Sequence, residues 1–178
     1  MRTRYIPVTY TVIVLCVAMY IFTMTSPLAS QLVLQPAAVR QGQIYRVFTY
    51  AFLHGSMQHI IANMYSCFLL GSIAENYMGS RKYIALIVLS ILGSAACIIA
   101  LGDPNTSTVG FSGALFGMLG CYVVILIKTG LISDPNIRMN IIQTLIINAA
   151  ISFLPGISLH GHLGGFITGI LFGMIFVK

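Results

Sequence analysis

Along most of this chain the apolar positions run on without the polar breaks that a surface helix or a half-buried strand would show. Six stretches, residues 5–24, 57–77, 83–101, 113–129, 139–154 and 160–177, are mostly apolar. Their lengths are near the 20 or so residues that cross a hydrocarbon core. This pattern predicts an all-α membrane protein, because a span in lipid must satisfy its backbone hydrogen bonds within itself. The six stretches take up most of the 178 residues, so a single membrane domain over 1–178 without a soluble appendage is expected. The first stretch follows Arg2 and Arg4, as a signal peptide would. It is long for one and lacks a convincing cleavage site, so it reads as a retained span.

One segment departs from the pattern. Residues 26–56 carry Gln31, Gln35, Arg40, Gln41, Gln43 and Arg46, too many polar groups for a span. They also carry Leu32, Val33, Leu34, Val39, Ile44, Tyr45, Val47 and Phe48, too many apolar ones for a free loop. The mixture predicts an ordered hairpin lying at the membrane interface.

Composition sharpens the class. The chain is 58% hydrophobic and 7% charged, with a mean hydropathy of +0.95. A soluble domain carries roughly 25% charged residues, so this one cannot cover a water-facing surface. A formal net charge of +6 is compatible with nucleic acid, but the nine basic residues are scattered in ones and twos with no basic stripe. No nucleic-acid partner is expected. Loop charge instead sets orientation. With the amino terminus cytoplasmic, six spans put Arg2, Arg4, Arg81, Lys82, Lys128, Arg138 and Lys178 inside and leave only Arg40 and Arg46 outside. That bias predicts both termini in the cytoplasm and supports an even number of spans. The compact six-span form makes a bacterial inner or plasma membrane the expected location, with an organelle membrane as the alternative. The four cysteines, Cys16, Cys67, Cys97 and Cys121, fall one to a span with no Cys-x-x-Cys, and read as packing residues.

The candidate chemistry lies in polar residues placed where lipid disfavours them. His54, His59 and Asn63 stand at the start of the second span, with His59 and Asn63 one helical turn apart on the same face. Two donors so placed can hold an anion or a carbonyl oxygen. They can equally satisfy each other between helices. A metal site would need a third ligand, and Asp103 is the sole carboxylate on that side, so no metal or other cofactor is expected. Ser112 opens the fourth span between Gly110 and Gly113. It can be an N-cap, or a serine whose glycine neighbours let another chain come close beside free helix-start amides. Ala114 removes it from the hydrolase pattern Gly-x-Ser-x-Gly. His160 and His162 open the sixth span, where Gly165, Gly169 and Gly173 repeat every four residues; Gly113 and Gly117, extended by Cys121, make a matching face on the fourth. Small-xxx-small faces let membrane helices approach backbone to backbone. If the two faces pack, His162 comes within hydrogen-bond reach of Ser112. With no carboxylate near, the minimal device is a Ser–His dyad, the histidine acting as general base and then acid.

In order along the chain, His54-x-x-x-x-His59-x-x-x-Asn63, Glu75-x-x-x-Gly79, Gly110-x-Ser112-Gly113 and His162-x-x-Gly165-x-x-x-Gly169 resemble the rhomboid family of intramembrane serine proteases, over about residues 34–173. One departure is Tyr45-Arg46 where the family has Trp-Arg; the chain has no tryptophan. Tyrosine keeps an amphipathic ring at the interface, so the loop's structural role is expected to survive. The resemblance implies a six-helix bundle whose water-filled site opens outward. Ser112 would be the nucleophile and His162 the base. His59, Asn63 and the Ser112 amide would form the oxyanion hole, with His54, Gly110 and Gly113 in support. Its partners would be the bilayer and transmembrane protein substrates, entering beside the fifth span and the loop 155–159. His160 would be a polar residue of the loop capping the site, and Glu75 a structural cap near Arg81. Gln143 and Asn148 would bond to neighbouring helices or, in the alternative, contact a partner. The alternative is an inactive rhomboid-like protein that binds or escorts membrane proteins. A transporter would show broken helices in two related halves or a charged mid-membrane path, and neither is visible.

Overall fold

The computed structural model describes residues 5–177; Arg2, Arg4 and Lys178, three of the charges behind the expected orientation, lie outside them. Among the described residues nine α-helices follow in order: α1 (Pro7–Thr25), the short α2 (Ala29–Leu32), α3 (Pro36–Arg40) and α4 (Arg46–Thr49), then α5 (Met57–Met78), α6 (Ser80–Leu101), α7 (Ser112–Lys128), α8 (Pro135–Ile151) and α9 (Leu159–Phe176). The described residues contain no β-strand, only an isolated antiparallel bridge between Leu34 and Thr108. The chain is an all-helical membrane bundle. Helices α1, α6 and α9 are long and apolar enough to cross a membrane, and α7 is a shorter apolar helix. Helices α5 and α8 match the remaining expected stretches but are more polar, α5 because it carries His59, Asn63 and Glu75.

The bundle has lipid as its solvent, which inverts the usual arrangement. Large apolar side chains such as Ile21, Tyr65, Ile146, Leu171 and Ile175 face outward, while Thr9, Ser90, Ser94 and a series of glycines lie inside. Small interior residues let helices α6, α7 and α9 meet backbone to backbone. A Cβ on Gly169 would stand 2.6 Å from the Gly117 carbonyl carbon, and one on Gly165 2.9 Å from that of Gly113. Gly120 also meets α9; a Cβ on it would stand 3.1 Å from the Ile170 amide nitrogen. Ser90 and Ser94 of α6 fill the sides of Gly117 and Gly113.

The 26–56 segment is ordered as expected, but as short helical turns. Arg46 fastens it from within. Its guanidinium donates to the Ser30 and Val33 carbonyls at 3.1 and 2.7 Å and to Gln43 Oε1 at 2.7 Å. Tyr45, in the place of the family's tryptophan, is half exposed, with the Arg46 guanidinium carbon 5.8 Å from its ring centre. Leu34 and Thr108 exchange backbone hydrogen bonds at 3.0 and 2.8 Å, and the Gly110 amide donates to the Tyr50 carbonyl at 3.0 Å. The segment is thereby tied to the strip of chain that leads into α7.

Glu75 is structural and holds the α5–α6 connection beside Arg81, as expected, by accepting from Ser80 Oγ (2.7 Å); it also accepts from the Val8 amide (3.0 Å), the Thr9 amide (2.9 Å) and the Thr9 hydroxyl (2.8 Å). The physical reason for these further bonds is the start of α1, whose first amides have no intrahelical acceptor and attract an anion. Gln143 is exposed and Asn148 Nδ2 donates to the Thr144 carbonyl of its own helix at 2.8 Å, so neither bonds to a neighbouring helix as expected. All four cysteines are free, three of them buried.

Candidate active site

The site is built where α5, α7, α8 and α9 end close together. Ser112 is the first residue of α7; the N-cap position belongs to Phe111, so the Ser112 hydroxyl is not used as a cap. Its amide, in the first turn, has no intrahelical acceptor. The hydroxyl lies 2.9 Å from His162 Nε2. His162 sits in the first turn of α9, which is capped by Ser158 Oγ accepting from the Gly161 amide at 3.2 Å. Backbone contact between α7 and α9 at Gly113 and Gly165 holds the two side chains at that separation.

The His162 ring is 6% exposed and held on two sides. Phe116, one turn along α7 from Ser112, stacks on it with centroids 4.0 Å apart and planes 14° from parallel. Ser152 Oγ, at the end of α8, lies 2.7 Å from Nδ1. Sequence spacing marks neither partner. Phe116 reads as ordinary core, and Ser152 reaches His162 only because the α8–α9 connection doubles back.

Across from this pair, His59 and Asn63 project from α5, which is capped by Ser56 Oγ accepting from the His59 amide at 3.2 Å. They converge on Gly110, two residues before Ser112. A Cβ there would stand 2.8 Å from His59 Nε2 and 3.6 Å from Asn63 Nδ2. Gly110 has φ +126, which L side chains rarely adopt, so glycine supplies both the turn and the room for the His59 ring. Asn63 Nδ2 is buried with no hydrogen-bond partner in the protein. An unpaired buried donor costs roughly 1–3 kcal/mol, and this one borders the cavity, where an entering group can accept from it. His54 packs edge to face against His59, with centroids 5.1 Å apart, and its ring nitrogens are likewise buried and unpartnered. Burial, reinforced by the neighbouring His59 ring, pushes the His54 imidazole down to about 4, so it is neutral at pH 7. Among the described residues, no three His, Cys, Asp or Glu side chains gather where they could hold a metal ion.

These groups border an open cavity of about 1810 Å³, lined by Ser112, His162, His59 and Asn63. It continues along α5 from Gln58 to Asn76 with Thr144 and Asn148 of α8 opposite. At 1.5 Å per residue that length of α5 is roughly 27 Å, about the thickness of a hydrocarbon core. His160 also lines the cavity, from the first turn of α9 and not from a loop.

A family model described as Rhomboid domain matches residues 41–178. The chain is 33% identical over 146 residues to RHOMBOID-like protein 5 of Arabidopsis thaliana, covering 80% of this chain and 47% of that protein. It is 31% identical over 129 residues to the putative rhomboid protein L523 of Acanthamoeba polyphaga mimivirus, covering 70% of this chain and 71% of that one. With the rhomboid protease GluP of Bacillus subtilis the identity is 30% over 133 residues, 74% of this chain and 26% of that protein. The chain thus spans about half the length of the first of these relatives, and less of GluP. Matched over most of its length by the family model, the chain belongs to the rhomboid family.

Proposed function

We propose that this chain is an intramembrane serine endopeptidase, a single six-span domain that cleaves transmembrane or juxtamembrane segments of other membrane proteins. The observation that carries the reading is the 2.9 Å approach of Ser112 Oγ to His162 Nε2 beside two further polar groups converging on Gly110. Ser112 Oγ attacks the scissile carbonyl carbon while its proton passes to His162 Nε2. The carbonyl oxygen becomes an oxyanion received by His59, Asn63 Nδ2 and the Ser112 amide. Collapse breaks the C–N bond, His162 returns the proton to the leaving amine, and water hydrolyses the acyl-enzyme by the same steps in reverse. No metal or cofactor takes part.

A membrane helix hides its carbonyls in its own hydrogen bonds, so the substrate must unwind before attack. The groove that α5 and α8 line is long enough to receive one helix, and Asn148, toward its end nearer Ser112, can bond to backbone freed by unwinding. The charge pattern supports cytoplasmic termini and a site opening to the outer side.

The test is cleavage. Purified chain in liposomes should cut a transmembrane reporter segment carrying a helix-breaking residue near one interface, and neither Ser112→Ala nor His162→Ala should. Capture of the reporter without cleavage by the wild type would replace this reading with that of an inactive rhomboid-like binding protein.

A further inference from the structure

Ser152 caps the C-terminus of α8 and is 2% exposed. Its Oγ lies 2.8 Å from the Asn148 carbonyl oxygen and 2.7 Å from His162 Nδ1. A carbonyl can only accept, and a serine hydroxyl has one proton to give. That proton goes to Asn148, so the Ser152 oxygen must accept from His162 Nδ1–H. The neutral ring then carries its proton on Nδ1 and turns the Nε2 lone pair toward Ser112 Oγ. Every bond in the line runs one way: Ser112 donates to His162, His162 to Ser152, and Ser152 to Asn148.

We propose that Ser152 is the positioning residue that holds His162 in the tautomer able to accept the Ser112 proton. The proposal rests on the serine-hydrolase reading above and adds a third member to it. The partner of His162 Nδ1 is Ser152, and each carboxylate is engaged elsewhere. Glu75 serves the start of α1, Asp103 accepts from the Asn105 amide, and Asp134 caps α8. When Ser112 gives its proton to Nε2, the ring becomes an imidazolium and its Nδ1–H bond to Ser152 becomes charge-assisted. No proton moves beyond Nδ1, because the Ser152 hydroxyl proton stays on its bond to Asn148. A hydroxyl stabilises the cation less than a carboxylate would, so its main contribution is tautomer and ring orientation. Both Ser152 and Asn148 belong to α8, which buries only Ile141 along its own length. The tautomer therefore depends on the position of the helix that borders the groove.

The experiment combines NMR with kinetics on the full chain in micelles labelled with ¹⁵N-histidine, the His162 signals being assigned by their loss in His162→Gln. The wild type should show a protonated Nδ1 and an unprotonated Nε2. Ser152→Ala should shift the ring toward the Nε2–H form and lower kcat by about ten- to a hundredfold with KM little changed. Ser152→Thr, which keeps the hydroxyl, should restore both. An Nε2–H ring in the wild type overturns the proposal, as does Ser152→Ala with unchanged tautomer or unchanged kcat. If Ser152→Ala does not fold, Ser152→Thr and the wild-type tautomer still decide. A wild type with the Nδ1–H ring that neither cleaves substrate nor binds an active-site probe refutes the hydrolase reading and Ser152's kinetic role with it. It leaves the hydrogen-bond line standing, so the two failures are told apart.

Discussion

Replacing Gly165 by alanine asks how closely the Ser112–His162 pair depends on backbone contact between α7 and α9. The new Cβ would stand 2.9 Å from the Gly113 carbonyl carbon, 3.2 Å from its Cα, and nearer still to its oxygen. All three atoms are backbone, so no rotamer change relieves them. The Gly113 oxygen is the limiting contact, and bringing it back to ordinary van der Waals separation requires α9 to back away from α7 by about 1 Å or more. Overpacking of this kind costs about 1–3 kcal/mol. The catalytic cost is the larger effect. Gly165 lies three residues from His162 and meets the residue next to Ser112, so the displacement falls on the 2.9 Å Ser112–His162 contact. Misplacing reacting groups by about 1 Å can lower a rate by about a hundredfold. Gly173→Ala is the control: its Cβ would meet the Val124 side chain at 2.9–3.2 Å, far from the site. Denaturation in mixed micelles and the rate of active-site probe labelling read the two effects separately. Gly165→Ala should lose both stability and about two orders of labelling rate, and Gly173→Ala should keep its rate. Wild-type stability and labelling in Gly165→Ala would refute the argument that this contact sets the pair.

The remaining predictions concern single groups. Asn63→Ala removes one donor facing the position of the oxyanion and should lower kcat by about ten- to a thousandfold with little change in KM. An unchanged kcat would remove Asn63 from the hole. Glu75→Ala leaves the Val8 and Thr9 amides and the Thr9 hydroxyl without their acceptor. It should cost about 1–3 kcal/mol by denaturation while the folded fraction keeps its activity; equal stability would show that α1 is held by packing alone.

Much of this arrangement is legible in the sequence, for reasons that differ between elements. The spans show because lipid requires long apolar runs, and the α7–α9 contact shows because Gly113, Gly117, Gly165 and Gly169 share a spacing that only close helices need. Helix α8 was expected over 139–154 but spans Pro135–Ile151. An apolar window passes over Asn136 and Arg138, although Asp134 and Pro135 mark the true start: Asp134 Oδ1 accepts from the Asn136 amide at 2.8 Å. The short helices of the 26–56 segment are held by tertiary bonds such as those of Arg46, and no local pattern announces them. Ser152 is the clearest case. Its role comes from a turn that returns the chain to His162 ten residues later, and nothing in its own neighbourhood distinguishes it from any serine ending a helix.

The claim that most depends on chemistry is that Ser112 is a nucleophile activated by His162. A fluorophosphonate probe followed by intact mass and peptide mapping tests it without knowledge of a substrate. One adduct per chain on Ser112, absent in Ser112→Ala and lost in His162→Ala while both variants remain folded, is the result predicted. Labelling that persists in Ser112→Ala, or that His162→Ala leaves undiminished, would contradict the account.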